Sequence, residues 1–439
     1  MSSAPNTDQA SWSKAKLVAF RFLFCYLILF FLAPFGLIGQ ATGLSRLGSL
    51  WAHTVKWVGL NLFDRKITTL PNGSGDTLFN YVEIACWLIL AAFATIIWTH
   101  LDKKSRDHEK LSSHLRQGVR GYLAAIMLAY GMSKLIPLQF GSPRLIDMLQ
   151  PIGEQSPMGM LWRFMGISPG YTMFTGFAEV LAAYLIAFRR TTLLGSVLCF
   201  VVMSHVVALN FFYDVPVKLL STQLLLLSLL LIAPDFKRLW SFLILQESEQ
   251  SAPQPSVLSS KISKHLGSAL KLTVLGLYPL MVLLNTAQIW MPKFRDNSRP
   301  PLYGIWQVQQ FKLNNQPLKI EDPDRMGWHK LVIESVQTGS RESKNVGIIV
   351  PVGGPSTASW NLCQFDEAKH TITFTPFDRR SKSQGLGEFT VHQSKQNQVT
   401  LTGTLQGKNV EIDLERLADE KIPLLHRGFH WINEYPYSR

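Results

Sequence analysis

Apolar residues are grouped over residues 17–290 in long runs that contain few charged side chains. A helix needs about 20 mostly apolar residues to cross the hydrocarbon core of a bilayer. Seven segments meet this requirement, so the sequence predicts an α-helical membrane bundle with seven transmembrane helices. The predicted spans are 17–39, 79–99, 118–137, 170–188, 192–212, 217–234 and 269–290.

From Pro300 onward the pattern changes to short alternating segments that are rich in β-branched and aromatic residues. Such alternation is typical of strands that bury one face. The spacing predicts an all-β, up-and-down barrel, whose interior holds packed side chains or one small ligand. The predicted strands are 303–312, 328–337, 345–350, 358–364, 370–376, 386–393, 397–404 and 409–415.

The barrel region opens with Gly304-Ile305-Trp306, which resembles the Gly-x-Trp start of lipocalin-like barrels. The resemblance implies a lipocalin-like barrel that is closed at one end by the tryptophan. Together with the apolar runs, this predicts three parts. They are a six-span bundle (1–245), a cytoplasmic linker rich in Ser, Gln and Pro with the seventh span (246–297), and an external barrel (298–439).

Two further apolar groups lie between the predicted spans, on the side opposite the N-terminus. The first recurs at helical spacing and predicts an amphipathic helix in the membrane interface. The second precedes the fourth span and is predicted to cover the mouth of the bundle. The first group is Leu47, Leu50, Trp51, Val55, Val58 and Leu62, and the second is Met158, Leu161, Trp162 and Met165.

The basic residues predict how the chain is oriented. Loops on the side of the N-terminus contain more Lys and Arg than the opposite loops, which indicates a cytoplasmic N-terminus. Seven crossings then place the barrel outside, in the periplasm or the cell exterior of a bacterium. The predicted location is therefore the inner (plasma) membrane.

The net charge indicates which partners the protein binds, and the cysteine content indicates whether it has a disulfide framework or a metal site. The net charge of +13 arises in large part beside apolar runs, as at Lys103 and Lys104, where basic residues meet anionic lipid. No nucleic-acid-binding motif is present, so the predicted partners are the bilayer and a membrane or periplasmic protein, and not nucleic acid. The four cysteines are not spaced as a disulfide framework or a metal site.

Ionisable residues inside a span are costly and are therefore functional hypotheses. Glu179 lies near the middle of the fourth predicted span, on a stripe of small and hydroxyl residues, and either pairs with a neighbouring helix or handles protons or substrate. Lys134 and Tyr130 share a face of the third span, where Lys134 either extends to the interface or takes part in function. His205 in the fifth span is either a hydrogen-bond partner between helices or a haem ligand.

Polar residues also cluster toward the outer ends of the predicted spans. They predict a polar pocket that opens outward. Simpler interpretations are that Asp76 caps the second span and that Asp214 pairs with Lys218. The outer residues are Asp76, Arg163, Asn210, Asp214 and Lys218.

Several stretches between residues 115 and 240 resemble the DoxX-like family of bacterial membrane proteins. The resemblance implies a helical bundle, and a redox role associated with quinone, since some family members take part in quinone-linked oxidation. The stretches are 130–135 (YGMSKL), 156–162 (SPMGMLW), 164–166 (FMG), 189–195 (RRTTLLG) and 213–219 (YDVPVKL).

Three functions follow from these features. The first is a DoxX-like membrane protein with a redox or quinone-associated role. The second is a non-enzymatic envelope protein that binds a lipid or a protein through its barrel. The third is a small-molecule transporter, against which the sequence shows no internal repeat. No catalytic motif names a reaction, so whether the protein is an enzyme stays open.

Overall fold

A computed structural model describes the chain over residues 12–34, 43–68, 73–103, 107–136, 138–247, 273–277, 279–284, 299–322, 328–337, 343–377, 387–395, 397–405, 407–418, 422–426 and 431. Contacts divide the chain into two compact units. The helical unit comprises Met1–Gln139 and Gly170–Leu283. The barrel unit comprises Phe140–Pro169 and Leu284–Arg439.

Helices account for most of the described residues up to Leu245. A short π-helical turn, Thr273–Leu277, follows later in the chain. In chain order the helices are α1 (Lys14–Phe31), α2 (Gly48–Phe63), α3 (Leu78–Leu101), α4 (Glu109–Leu135), α5 (Pro157–Ile167), α6 (Pro169–Ala187), α7 (Thr192–Phe212), α8 (Lys218–Ile232) and α9 (Phe236–Trp240).

Four helical runs within the described ranges are long and apolar enough to cross a membrane. They are α3, α6, α7 and the run Lys218–Leu245, which contains α8 and α9. These runs confirm an apolar helical part before the barrel, but the number seven is not confirmed. The predicted first and third spans form α1 and α4, which are less apolar because they carry several basic side chains. Of the predicted seventh span, 269–290, the structure describes residues 273–277 and 279–284, which are helical.

Large apolar side chains line both the inside and the outside of the helical unit. Leu123, Met127 and Leu128 of α4 are fully buried in its core. On the outside, α3 exposes Phe93 and α6 exposes Phe174. A water-soluble helix places polar residues on its outer face, whereas a helix in lipid remains apolar there. The surface of this unit is therefore suited to a bilayer.

The predicted amphipathic helix after the first span is α2. Its buried face contains Ala52, Val55 and Gly59. Leu50 and Trp57 are exposed, so a second apolar strip lies on the other face of the helix. An apolar strip that is not covered by protein is compatible with the interfacial position predicted from the sequence.

The C-terminal part is an antiparallel β-barrel, as predicted. Eight strands pair in chain order and β1 also pairs with the last strand, which closes an up-and-down barrel; a two-residue strand extends β1 as a hairpin. The strands are β1 (Gly304–Leu313), β2 (Gln316–Pro317), β3 (Lys330–Gln337), β4 (Ser343–Val350), β5 (Ser359–Asp366), β6 (Thr371–Pro376), β7 (Gly387–Lys395), β8 (Gln398–Leu405) and β9 (Lys408–Arg416).

The barrel interior is filled by its own apolar side chains, the first of the two contents that the sequence allowed. Trp328, Phe374 and Phe389 are fully buried and contact one another ring to ring. Gly347 makes room for Phe374, because a Cβ atom at this position would collide with that ring. Trp306 is buried too, and its indole N–H donates to the carbonyl of Leu302 at 2.7 Å.

Residues 140–169 belong to the barrel unit, although they lie between two helices of the helical unit in sequence. Leu145 and Ile146 are buried against side chains on the outside of the barrel, among them Val332 and Ile348. Residues 140–169 lie within the predicted six-span bundle (1–245) in sequence, but they pack with the barrel in the structure. This segment includes the residues that are predicted to cover the mouth of the bundle, Met158, Leu161, Trp162 and Met165.

A buried carboxylate holds this segment on the barrel. Glu334 of β3 points outward, and one of its oxygens accepts the backbone N–H of Leu145 at 2.9 Å. The other oxygen, Oε1, has no hydrogen-bond partner among the described residues. Arg144 adds a second contact, since its guanidinium lies 5.3 Å from the ring centre of Trp360. The carboxylate and the cation–π contact together fix the register of the segment.

We predict that the barrel unit loses stability as the pH rises through the titration of Glu334. Burial raises the pKa of Glu334, and the N–H of Leu145 and the charge of Arg144 offset this only in part. The folded state then holds a proton that the unfolded state has lost, so the free energy of unfolding falls between the two pKa values. Glu334→Gln keeps an oxygen for Leu145 and should remove this fall, as measured by hydrogen exchange of the β3 amides.

The matched control is Glu388→Gln, which changes an exposed carboxyl of β7. It should leave the pH dependence of the β3 amides as in the parent protein. A Glu334→Gln protein with the parent pH dependence would contradict the prediction.

Candidate functional site

Lys134 and Glu179 form a buried ion pair between α4 and α6. The Lys134 Nζ atom donates to Glu179 Oε1, and the two residues are only 8% and 3% exposed. Lys134 lies in the last turn of α4, whereas Glu179 lies near the middle of α6. The structure therefore joins two of the residues that the sequence singled out.

Two glycines bring these helices close enough for the pair to form. A Cβ atom on Gly176 would lie 2.5 Å from the backbone nitrogen of Leu135 and 2.7 Å from the carbonyl oxygen of Gly131. A Cβ atom on Gly131 would in turn lie 2.8 Å from Cγ2 of Val180. Small residues at such positions allow helix backbones to approach closely. Gly176 and Glu179 of the predicted stripe therefore lie at the contact of α6 with α4.

The ion pair leaves one carboxylate oxygen able to accept another hydrogen bond. Glu179 Oε2 is buried and has no hydrogen-bond partner among the described residues. Taking a charged pair out of water is costly, and the cost falls when every oxygen is hydrogen-bonded. A hydroxyl or amide of a bound molecule would satisfy Oε2, while the Lys134 ammonium can donate to an acceptor on the same molecule. The arrangement is suited to binding a small polar group or to moving a proton.

Tyr130, His205 and Asn210 lie differently from this pair. Tyr130 is one turn before Lys134; its side chain is 39% exposed, and its phenol interacts electrostatically with Glu179. His205 lies on the exposed side of α7. Asn210 is buried, and its Nδ2 atom has no hydrogen-bond partner within the described ranges. Of these three, Asn210 is the one that adds a second unsatisfied polar atom to the interior.

Asp76, Asp214 and Lys218 form a separate polar cluster, the loop cluster, which joins two loops by hydrogen bonds and an ion pair. Both Asp76 oxygens accept backbone N–H groups from the first turn of α8, those of Lys218 at 2.8 Å and Leu219 at 3.0 Å. The Lys218 ammonium also pairs with Asp214 at 2.8 Å, as the simpler interpretation predicted. Asp76 was expected to cap its own helix, but Thr77 caps α3. Asp76 instead caps a helix that begins 142 residues later.

Arg163 belongs to the barrel unit. It donates to Gln150 Oε1 at 2.5 Å and lies 3.5 Å from an Asp147 oxygen. Hydrogen bonds from Arg144 and both arginine charges outweigh the burial of Asp147, so that the pKa of this carboxyl is below its usual value. Six of the nine candidate residues therefore lie in three separate places, namely the ion pair, the loop cluster and the surroundings of Arg163, whereas Tyr130, His205 and Asn210 belong to none of these groups.

Among the described residues of the helical unit, two other buried ionisable side chains were not singled out from the sequence. Glu83 of α3 accepts the indole N–H of Trp51 at 2.7 Å. Arg21 of α1 donates to Asp102 and to His108, each at 3.1 Å. Both lie in apolar runs, so the rule that singled out Glu179 would also have found them.

No group of three or more metal-binding side chains occurs in the described part of the chain. The groups that could hold a cofactor are the Lys134 ammonium and the free oxygen of Glu179. They offer one donor and one acceptor to a polar head group, and their surroundings are apolar.

Comparison with known proteins finds one informative similarity. No family model and no solved structure matches the chain. The "Uncharacterized protein YwoB" of Bacillus subtilis (strain 168) is 30% identical over 140 residues. The match covers 31% of this chain and 88% of that protein. Nearly the whole relative therefore corresponds to a part of this chain.

We predict that Gly176→Ala separates α4 from α6 and breaks the ion pair. The new methyl group would overlap backbone atoms, which cannot move as a side chain can. Overpacking of this kind costs about 1–3 kcal/mol, so the melting temperature of the detergent-solubilised protein should fall. Gly121→Ala on α4 is the control, because no atom lies within 4 Å of its Cβ position. An unchanged melting temperature for Gly176→Ala would contradict the close packing.

Proposed function

This chain belongs to the family of the uncharacterized protein YwoB of Bacillus subtilis, and we propose that it is a multi-pass membrane protein of the DoxX-like type that binds a quinone head group at Lys134 and Glu179. The observation that carries the proposal is the buried ion pair with one unsatisfied carboxylate oxygen. The apolar surface of the helical unit supports the membrane setting. The resemblance to DoxX-like proteins supports the choice of a quinone.

The chemistry of a quinone matches the two charged groups. A quinone carbonyl accepts a hydrogen bond from the Lys134 ammonium, and a quinol hydroxyl donates one to Glu179 Oε2. Hydrogen bonds to charged groups are strengthened where water is excluded. The pair can also pass a proton when the quinone is reduced or the quinol oxidised. The proposed role is therefore binding of the head group, coupled to proton transfer.

The two alternative functions, partner binding through the barrel and transport, do not depend on ligand binding at the Lys134–Glu179 ion pair. An envelope protein that binds a partner through its barrel would depend on the barrel surface, because Trp328, Phe374 and Phe389 occupy the interior. In that case the ion pair would have a structural role only. A transporter would need a path across the bundle, which the close contact of Gly131 with α6 narrows.

The barrel unit also supports a particular path through the membrane. Residues 140–169 and the barrel form one compact unit, so they lie on the same side of the bilayer. An even number of crossings must therefore separate them. Helices α6 and α7 and the run Lys218–Leu245 provide three, and we infer that residues 246–298 provide a fourth. This inference agrees with the predicted span at 269–290 and with seven crossings in total.

The distribution of basic residues then gives the orientation that we propose. A cytoplasmic N-terminus and seven crossings place the barrel on the outer side of the inner membrane. Residues 140–169 lie on that side too. The protein partners proposed for the chain are correspondingly membrane or periplasmic proteins.

We predict that Glu179→Gln reduces the quinone retained by the purified protein by about tenfold or more. The amide removes the negative charge, and a hydrogen bond to a charged group contributes about 1.5–3 kcal/mol. Quinone is measured by mass spectrometry after purification in mild detergent. The protein level in the membrane should stay near that of the parent.

The matched control is Asp235→Asn, which removes the charge of another ion pair of the helical unit, formed with Arg116 at 3.0 Å. It should leave retained quinone unchanged. Normal retention in Glu179→Gln at a normal protein level would overturn the proposed function. A fall in protein level, with unchanged quinone per protein, would assign the pair a structural role.

We further predict that reporter fusions after Gly153 and after Arg439 report the same side of the membrane, and a fusion after Lys110 the opposite side. The reason is the even number of crossings between residues 140–169 and the barrel. Alkaline phosphatase and green fluorescent protein fusions measure this. Opposite sides for Gly153 and Arg439 would mean that residues 246–298 do not cross.

A further inference from the structure

Three arginines of the helical unit lie near one another, at the end that the proposed orientation assigns to the cytoplasm. Arg116 and Arg120 are four residues apart on α4, so their side chains leave the same face of the helix one turn apart. Arg189 lies in the turn that joins α6 to α7. The charge of Arg120 is repelled by the charge of Arg189 and, more weakly, by that of Arg116. Like charges are therefore collected at this place.

Two of the three arginines are held in place by the ends of neighbouring helices. Arg120 donates to the carbonyl of Ile186 at 3.2 Å and to that of Ala187, the last residue of α6, at 3.1 Å. Arg116 donates to the carbonyl of Leu231, near the end of α8, at 3.1 Å. A cation at the C-terminal end of a helix is favourable, but the carbonyl oxygens there carry only partial negative charge. These bonds orient the two guanidinium groups without neutralising them.

Carboxylates compensate only a part of this positive charge. Asp235 pairs with Arg116 at 3.0 Å, but the same carboxyl group also pairs with Arg238 at 3.4 Å. None of the ion pairs between described residues includes Arg120 or Arg189. The arrangement therefore keeps positive charges together although they repel one another, which favours an anion beside them.

We propose that Arg116, Arg120 and Arg189 form a binding site for a phosphate group, the inner arginine site. The planar guanidinium group presents its N–H donors in a fork that matches two oxygens of a phosphate. Arg189 is exposed, whereas Arg116 and Arg120 are half-buried. An anion can therefore reach the site from solvent and is partly shielded from water once it is bound. One phosphate beside all three cations replaces their mutual repulsion by attraction.

The phosphate group can belong to an anionic phospholipid or to a free phosphate ion. Helices α6 and α7, which flank the turn of Arg189, are long and apolar enough to cross a membrane. Basic pockets at the cytoplasmic ends of such helices bind the head groups of anionic lipids. The lipid source rests on the proposed membrane insertion of these helices. The site itself does not depend on quinone binding, because it includes neither Lys134 nor Glu179.

The first arm of the test measures lipid binding to the full-length protein by native mass spectrometry. The probes are phosphatidylglycerol, which is anionic, and phosphatidylcholine, whose phosphate is neutralised by its own cation. Phosphatidylglycerol should bind the parent protein more tightly than phosphatidylcholine. Arg189→Ala should weaken phosphatidylglycerol binding by about tenfold, which is the effect of one lost hydrogen bond between charged groups.

The matched control is Arg190→Ala, which removes the same charge from the next residue in the chain. Arg190 is also exposed, but its charge is not among those that act on Arg120. The affinity of this variant for phosphatidylglycerol should stay near the parent value.

The second arm titrates inorganic phosphate against the protein in nanodiscs of phosphatidylcholine and follows the melting temperature. A rise in melting temperature that Arg189→Ala abolishes, without a preference for phosphatidylglycerol in the first arm, would support the site and assign it to free phosphate. A preference for phosphatidylglycerol that Arg189→Ala abolishes would assign it to lipid.

Two outcomes would overturn the inner arginine site. Equal losses of affinity in Arg189→Ala and Arg190→Ala would show that the anion responds only to the net charge at this end of the helices. A protein that neither prefers phosphatidylglycerol nor responds to inorganic phosphate would show that the arginines bind no phosphate group. Arg189→Gln replaces Arg189→Ala, with the same expected result, if the latter does not accumulate. Quinone retention in Glu179→Gln is measured separately, so the two proposals can fail independently.

Discussion

The contact of Leu145 and Ile146 with the outside of the barrel constrains the path of the whole chain. An apolar patch around Val332 and Ile348 would face water on an isolated barrel, and its burial stabilises the unit. In the proposed topology, the barrel and that segment share one side of the membrane, because the covering segment comes from between two helices of the other unit. The proposed even number of crossings between this segment and the barrel rests on this contact.

Two buried carboxylates illustrate different ways of removing a charge from water. Glu334 is held by a backbone N–H group, a neutral partner, and burial raises its pKa. Glu179 is held by the Lys134 ammonium, so that each charge compensates the other. Each carboxylate keeps one oxygen without a partner among the described residues. Glu334 is suited to fixing a loop, whereas Glu179 is suited to binding a polar ligand inside an apolar bundle.

The two units divide the tasks of the protein in the proposed function. The helical unit holds the reactive groups, because only there does an apolar environment strengthen the contacts of Lys134 and Glu179. The barrel unit contributes a rigid body whose interior is filled and whose outer face is partly covered by residues 140–169.

Local patterns in the sequence determined the elements and several candidate residues. Alternation of period two located the eight barrel strands to within a few residues, because each strand needs one face in the core. The long apolar runs located the helices, and the rarity of charge inside them pointed to Glu179 and Lys134. The Asp214–Lys218 ion pair could also be predicted from the sequence, since its members are four residues apart.

Contacts between distant parts of the chain were decided only by the tertiary structure. Asp76 caps α8, Lys134 meets Glu179 on another helix, and Leu145 packs on the barrel. None of these follows from periodicity, which tells which face of an element is apolar but not which element will cover it. That choice depends on how closely backbones can approach, as at Gly131 and Gly176, and on the geometry of packing between whole units.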